Sequence, residues 1–229
     1  IKGLEGLLAD DAKVFEEVKK ETKELRKKFG EPRRTEISLD AHDISREELE
    51  AHEQIVVTLS KGGYIKRIPA DTYRNQHRGG RGVVSMNTKD DDPIAQILVV
   101  DTHDTLLFFT DRGRVLRLTS YELRADTSRN PRGVPIVNVI NLMDNERVNA
   151  VLGVKSLTEE GQFLVLVTQR GIVKRIALSE LKNITRRGLN VMILKPKDRL
   201  VTACLTTGED DVMMVTEEGM SIRFHLSLI

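Results

Sequence analysis

Tryptophan is absent from the 229-residue sequence, and aromatic residues make up only 4% of it. That scarcity argues against gripping single-stranded nucleic acid by base stacking, which needs aromatic platforms. Cys204 is the only cysteine, so no internal disulfide can form, and the chain fits a reducing cytoplasm. Its setting, Leu200-Val201-Thr202-Ala203-Cys204-Leu205, predicts a buried core thiol. Apolar runs stop at five or six residues, too short to cross a bilayer. No secretory signal is visible, and the opening Ile1-Lys2 reads as a cut from something longer. Walker A and Rossmann glycine patterns are missing. The five histidines (His42, His52, His77, His103, His225) are scattered without metal-ligand spacing. Asp90-Asp91-Asp92 before Pro93 reads as a solvated turn. No catalytic residue and no metal ligand is therefore expected.

What is present suits a globular chain with a real core: 39% hydrophobic and 31% charged residues. The net charge of +1 conceals an asymmetry. Residues 1–50 carry 11 Lys and Arg against 14 Asp and Glu, and residues 51–229 carry 25 against 21.

Residues 1–30 read as one amphipathic helix, with Leu4, Leu8, Phe15, Val18, Thr22, Leu25 and Phe29 on a single stripe and Gly30 and Pro32 as terminators. Residues 31–51 read as a linker. From about residue 52 the pattern turns to short β-branched and aliphatic runs, each followed by a turn signal. These runs are copies of one another. Ser60-Lys61-Gly62-Gly63, Thr110-Asp111-Arg112-Gly113, Thr168-Gln169-Arg170-Gly171 and Thr216-Glu217-Glu218-Gly219 each place a hydroxyl residue three positions before a glycine. Four positions after each glycine stands an arginine: Arg67, Arg117, Arg175 and Arg223. An apolar residue follows every one. The glycines are 50, 58 and 48 residues apart. Four such copies predict a mainly β repeat fold with about four strands per repeat over residues 52–229, three repeats full and the fourth partial. The glycine serves a hairpin turn with positive φ, and the hydroxyl bonds nearby backbone. Strand alternation puts the arginines opposite the core-facing apolar residues, hence on an outer surface.

A second element recurs as Arg81-Gly82-Val83, Arg132-Gly133-Val134 and Arg187-Gly188-Leu189. Glycine there lets the backbone approach something closely while a guanidinium reaches outward. A third element is an acidic turn ahead of an apolar strand: Asp92-Pro93-Ile94-Ala95, Glu146-Arg147-Val148-Asn149 and Asp198-Arg199-Leu200-Val201. Acids and bases are thus expected in separate zones of each repeat.

The basic residues form one series. It runs from Lys61, Lys66, Arg67, Arg74, His77, Arg78 and Arg81 through Arg112, Arg114, Arg117, Arg129 and Arg132 to Lys174, Arg175, Lys182, Arg186 and Arg187. Along a curved edge such a row would follow a phosphate backbone, since guanidinium forks match phosphate oxygens. Neutralising about 6–10 phosphates would cost roughly 10³–10⁵-fold in affinity between 50 and 200 mM salt. Bending the duplex costs on the order of 1–6 kcal/mol per 20–30 base pairs, so several contacts must act together.

Gln76-His77-Arg78-Gly79-Gly80-Arg81-Gly82 resembles the gyrase A box, Gln-Arg-Arg-Gly-Gly-Lys-Gly, with His77 and Arg81 in place of Arg and Lys. Thr168-Gln169-Arg170-Gly171-Ile172-Val173-Lys174-Arg175 and Glu31-Pro32-Arg33-Arg34-Thr35-Glu36-Ile37 are also similar to gyrase A. The resemblance covers nearly the whole chain. It implies a β-pinwheel, a propeller-like disc whose neighbouring blades exchange strands, incomplete here and preceded by the last helix of a breakage-reunion core. It implies duplex DNA as partner, chiral wrapping in support of negative supercoiling, and a gyrase B subunit in an A2B2 holoenzyme that uses ATP and Mg2+. The DNA-binding residues it points to are Lys66, Arg67, Arg74, Gln76, His77, Arg78, Gly79, Gly80, Arg81, Gly82, Arg117, Arg132, Lys174, Arg175, Arg186 and Arg187. The family's catalytic tyrosine lies upstream, so Tyr64, Tyr73 and Tyr121 are not assigned that role, and no cofactor is expected in this piece. Two other readings fit the residues: a topoisomerase IV type A subunit, and a propeller-like scaffold for protein partners.

Overall fold

Strand alternation is visible in the first hairpin. In the computed structural model, β1 (Gln54–Ser60) runs antiparallel to β2 (Tyr64–Pro69), with Val57 opposite Arg67 and Leu59 opposite Ile65. The structure describes residues 5, 8–31, 34–35, 46–72, 92–125, 133–185 and 187–229. They fall into two units, 1–44 and 45–229.

In the first unit, α1 (Asp11–Phe29) begins at Asp10, whose carboxylate accepts from the Ala12 N–H at 3.1 Å. Arg26, Lys27 and Lys28 occupy its last turn, the favourable end of the helix dipole for cations. Its apolar stripe of Phe15, Val18, Leu25 and Phe29 is exposed, as is Leu8 ahead of its cap, so the helix predicted over 1–30 is cut by the cap at Asp10. Leu4 and Pro32 lie outside the described residues.

In the second unit a short helix, α2 (Arg46–Leu49), precedes a series of hairpins joined in places by short 3-10 turns. The remaining strands are β3 (Ile94–Asp101), β4 (Thr105–Thr110), β5 (Arg114–Thr119), β6 (Val134–Pro135), β7 (Val148–Val154), β8 (Phe163–Thr168), β9 (Val173–Ala177), β10 (Leu189–Asn190), β11 (Leu200–Thr206), β12 (Asp211–Val215) and β13 (Ser221–His225). Among the described residues they form four sheets: β3-β1-β2-β6, β10-β5-β4-β7, β11-β8-β9 and β12-β13. The first two are four-stranded, as the repeat predicted. Their fourth strands come from the following repeat. β6 crosses back to pair with β2, and β10 crosses back to pair with β5. These crossing strands are the Arg-Gly elements. An added Cβ on Gly133, φ 78°, would lie 2.4 Å from the Ile65 carbonyl oxygen, so only glycine allows that approach.

Neighbouring sheets share cores. In β4, Leu106 and Phe108 face a cluster with Ile55, Val57 and Ile65 of the first sheet. Leu107 and Phe109 face the opposite cluster, with Leu164, Leu166 and Ile176 of the third. All four β4 residues are fully buried, which makes the strand an uninterrupted apolar run. Each stabilises the fold by roughly 1.5–3 kcal/mol. Side-chain amides tie sheet to sheet. Gln96 of β3 donates to the Val151 carbonyl at 2.6 Å and accepts from its N–H at 2.9 Å. Asn149 donates to the Leu200 carbonyl at 2.6 Å.

Candidate nucleic-acid interface

The four hairpin turns share one geometry. Each turn glycine has φ between 75° and 82°. Each hydroxyl three residues earlier accepts from the N–H four residues on: Ser60 from Tyr64 at 3.1 Å, Thr110 from Arg114 at 3.3 Å, Thr168 from Ile172 at 3.1 Å and Thr216 from Met220 at 3.1 Å. The acidic turns fold back onto these hairpins. Asp92 accepts from the Gly62 N–H at 2.5 Å. Asp198 accepts from the N–H groups of Arg170 and Arg199 at 3.1 and 2.9 Å. Glu146 accepts from the Thr110 hydroxyl at 2.7 Å and pairs with the Arg114 guanidinium at 2.6 Å. The backbone before two of these acids is left-handed, at Asn145 and Lys197. Burial pushes the Asp198 carboxyl up, but the Thr168 hydroxyl and the two backbone N–H groups outweigh it and hold the carboxyl below its ordinary value.

Acids and bases are therefore not laid out in separate zones of the repeat, as expected from sequence. They are neighbours that face different ways. Glu146 and Asp198 are buried, while Arg147 and Arg199, the residues directly after them, are exposed. Two grooves at the hairpin ends each hold a basic pair. Lys61 and Arg147 line one, with Tyr64 and Pro135. Arg112 and Arg199 line the other, with Asn145 and Asn190. Exposed Arg170 stands beside the second groove, since the Gln169 N–H bonds the Arg199 carbonyl at 2.8 Å.

The family matched is described as "DNA gyrase C-terminal domain, beta-propeller", over residues 54–101, 104–155, 162–203 and 210–229. The chain belongs to this family. The gyrase A protein of Staphylococcus epidermidis is 43% identical, and that of Staphylococcus aureus 44% identical, over the whole of this chain. The chain spans 26% of the length of those relatives. A solved DNA gyrase A C-terminal domain superposes with a TM-score of 0.59 at 29% identity, covering 75% of this chain and 54% of that one. The C-terminal domain of a DNA topoisomerase IV gives 0.62 at 27% identity, covering 77% and 53%.

Within this gyrase-type domain, the site residues expected from sequence separate. Arg74, Gln76, His77, Arg78, Gly79, Gly80, Arg81, Gly82, Arg132 and Arg186 lie outside the described residues. Arg117 and Arg187 are exposed, as expected. Arg67 is not on an outer surface. It is buried, its guanidinium donating to the Tyr121 and Leu123 carbonyls at 3.3 and 3.1 Å, and Lys66 beside it is buried too. β1 and β2 are buried on both faces, so alternation alone does not bring a residue of β2 to solvent. Lys174 is exposed but donates to the Val191 carbonyl at 2.7 Å. Arg175 lies over the Phe163 ring at 5.1 Å. Arg223 pairs with Asp211.

Sequence reasoning missed Arg147 and Arg199 because each directly follows an acid. The available signal was a base at the same step of two successive repeats. Three further readings need correction. Cys204 is exposed, because on edge strand β11 it is Ala203 that faces the core and its neighbour Cys204 faces away. Asp92 serves the hairpin backbone instead of only solvent. The histidines are not all scattered: His52 and His103 stack at 3.8 Å beside Asp101.

Proposed function

We propose that the chain binds duplex DNA through its phosphates, without reading base sequence, as the wrapping part of a gyrase A protein. The supporting observation is the sorting of charge at the hairpin ends. In the first three repeats Asp92, Glu146 and Asp198 are taken up by backbone N–H groups and by Arg114, while Lys61, Arg112, Arg147, Arg170 and Arg199 stay exposed; the fourth turn instead exposes Glu217 and Glu218. Guanidinium forks match phosphate oxygens, and several of them acting together suit a phosphate backbone. The box residues Arg78 and Arg81 would extend the series and bias the direction of the wrap. Residues 1–30 would be the end of the breakage-reunion core and residues 31–51 the linker to the disc. In the cytoplasm the whole protein would work with gyrase B, which supplies ATP hydrolysis.

The test is ligation of nicked circular DNA in the presence of the chain, followed by protein removal and topoisomer analysis. A shift of one sign, lost when Arg78 and Arg81 become Ala, is the expected result. Salt-sensitive binding without a shift would remove wrapping from the proposal. No binding at all would overturn it in favour of a protein scaffold. The TM-score to the topoisomerase IV domain favours one second reading, a topoisomerase IV type A subunit. On that reading, binding persists and replacing the box residues leaves the topoisomer distribution unchanged.

A further inference from the structure

Two histidines occupy the same step of successive repeats. His52 lies two residues before β1, and His103 lies two residues before β4. Gly161 holds that step before β8. The two rings stack at 3.8 Å with 26° between their planes. Beside both reaches Asp101, the last residue of β3. Its Oδ1 is 2.9 Å from His52 Nδ1 and 3.5 Å from His103 Nδ1. The matching strand ends of the next two repeats, Val154 and Thr206, carry no acid. The grouping is thus a departure from the repeat, and the repeat fold does not require it.

Proton placement makes the grouping directional. His103 Nε2 faces the Glu47 carbonyl at 3.1 Å, which can only accept, so the Nε2 carries the hydrogen. In the neutral ring the Nδ1 lone pair then points at Asp101 Oδ1 and at the Thr102 hydroxyl oxygen, 3.1 Å away. The hydroxyl hydrogen of Thr102 is directed to the Ala51 carbonyl at 2.6 Å. His103 Nδ1 and Asp101 Oδ1 therefore meet as two acceptors, the Oδ1 also accepting from the His103 backbone N–H at 2.9 Å, and a cation shared between them relieves their repulsion.

We propose that His52 Nδ1, His103 Nδ1 and Asp101 Oδ1 form a binding site for one zinc-class divalent transition metal ion. Two imidazoles and a carboxylate suit Zn2+, Co2+ or Ni2+, and not Mg2+ or Ca2+, which take oxygen donors. Tetrahedral Zn2+ with bonds of about 2.0–2.1 Å sets its ligand atoms about 3.3 Å apart. The two distances to Asp101 Oδ1 bracket that value, and all three ligand atoms lie within 4.8 Å of one another. The Nε2–H of His103 on the Glu47 carbonyl is the outer-shell bond that orients a metal-bound imidazole. His52 is largely exposed, which leaves room for water to complete the coordination. The bound ion would clasp the segment entering β1 to the turn joining the first two sheets.

The experiment uses the full chain, stripped with chelator and titrated with CoCl2 and with ZnCl2. One Co2+ per chain with visible d–d absorption, displaced by Zn2+, is expected, together with a higher unfolding temperature in Zn2+. His52→Ala and His103→Ala should each weaken binding by more than about 10–100-fold, beyond the usual loss of an outer-shell partner. His52→Ala alters only an exposed side chain, and circular dichroism checks that both variants fold. His225→Ala and Cys204→Ser should bind as the unaltered chain does. Absence of binding, or binding that both histidine variants retain, overturns the proposal. A His103 ring carrying hydrogen on both nitrogens, with nitrogen shifts that Zn2+ leaves unmoved, overturns it as well.

Discussion

At the scale of single residues, the decisive groups are buried charges and their partners. The Glu146 side chain has no exposure and Arg114 has 8%. Arg114 also donates to the carbonyl of Arg187, so one guanidinium fastens the hairpin, the acidic turn and the crossing Arg-Gly element together. Arg114→Met strands a buried carboxylate and should cost about 3–5 kcal/mol in urea unfolding. Arg223→Ala, at an exposed pair, should leave the unfolding midpoint in place. Asp198 provides a pH test. Its folded pKa is depressed below the unfolded value of about 3.9, so its contribution is complete above that value. The contribution is lost as pH falls through the lower folded pKa. The stability difference between the unaltered chain and Asp198→Asn should stay flat from about pH 5 to 8 and converge at lower pH. A difference that grows on acidification would contradict the assignment.

At the scale of elements, the crossing strands β6 and β10 hold neighbouring sheets in sequence. Gly133 is where the first crossing meets the Ile65 carbonyl, with φ 78°. Gly133→Ala combines a disfavoured φ with a backbone clash. It should destabilise by more than about 1 kcal/mol, read from the denaturation midpoint. Gly161→Ala also has positive φ but meets nothing within 4 Å, so it isolates the φ penalty alone. A larger loss at Gly133 than at Gly161 is the expected order. The turns themselves were legible in the sequence, because a hydroxyl three residues before a glycine is a local chemical pattern. The partner of each Arg-Gly element was not, because pairing with the preceding repeat depends on how sheets stack.

At the scale of the whole molecule, the exposed series is the feature to measure. If Arg112, Arg147 and Arg199 each neutralise one phosphate, replacing any one with Ala should lower the slope of log affinity against log salt by about 1. The loss should be similar for duplexes of unrelated sequence. Arg67→Ala should lower stability and leave the salt slope unchanged, since that guanidinium is turned inward onto backbone carbonyls. A fluorescence anisotropy titration across a salt series separates the two outcomes.

The sequence by itself determined the mainly β class, the hairpin repeat, the positive-φ glycines and the family resemblance, because each rests on residues within a few positions of one another. Tertiary structure alone decided which basic residues reach solvent. Arg67 and Arg117 hold the same step of the repeat, yet Arg67 is buried against backbone carbonyls and Arg117 is exposed. It also decided that Glu146 and Arg147 face opposite ways, and that His52 and His103, fifty-one positions apart, touch. Burial and contact depend on which sheet packs against which, and no local spacing encodes that.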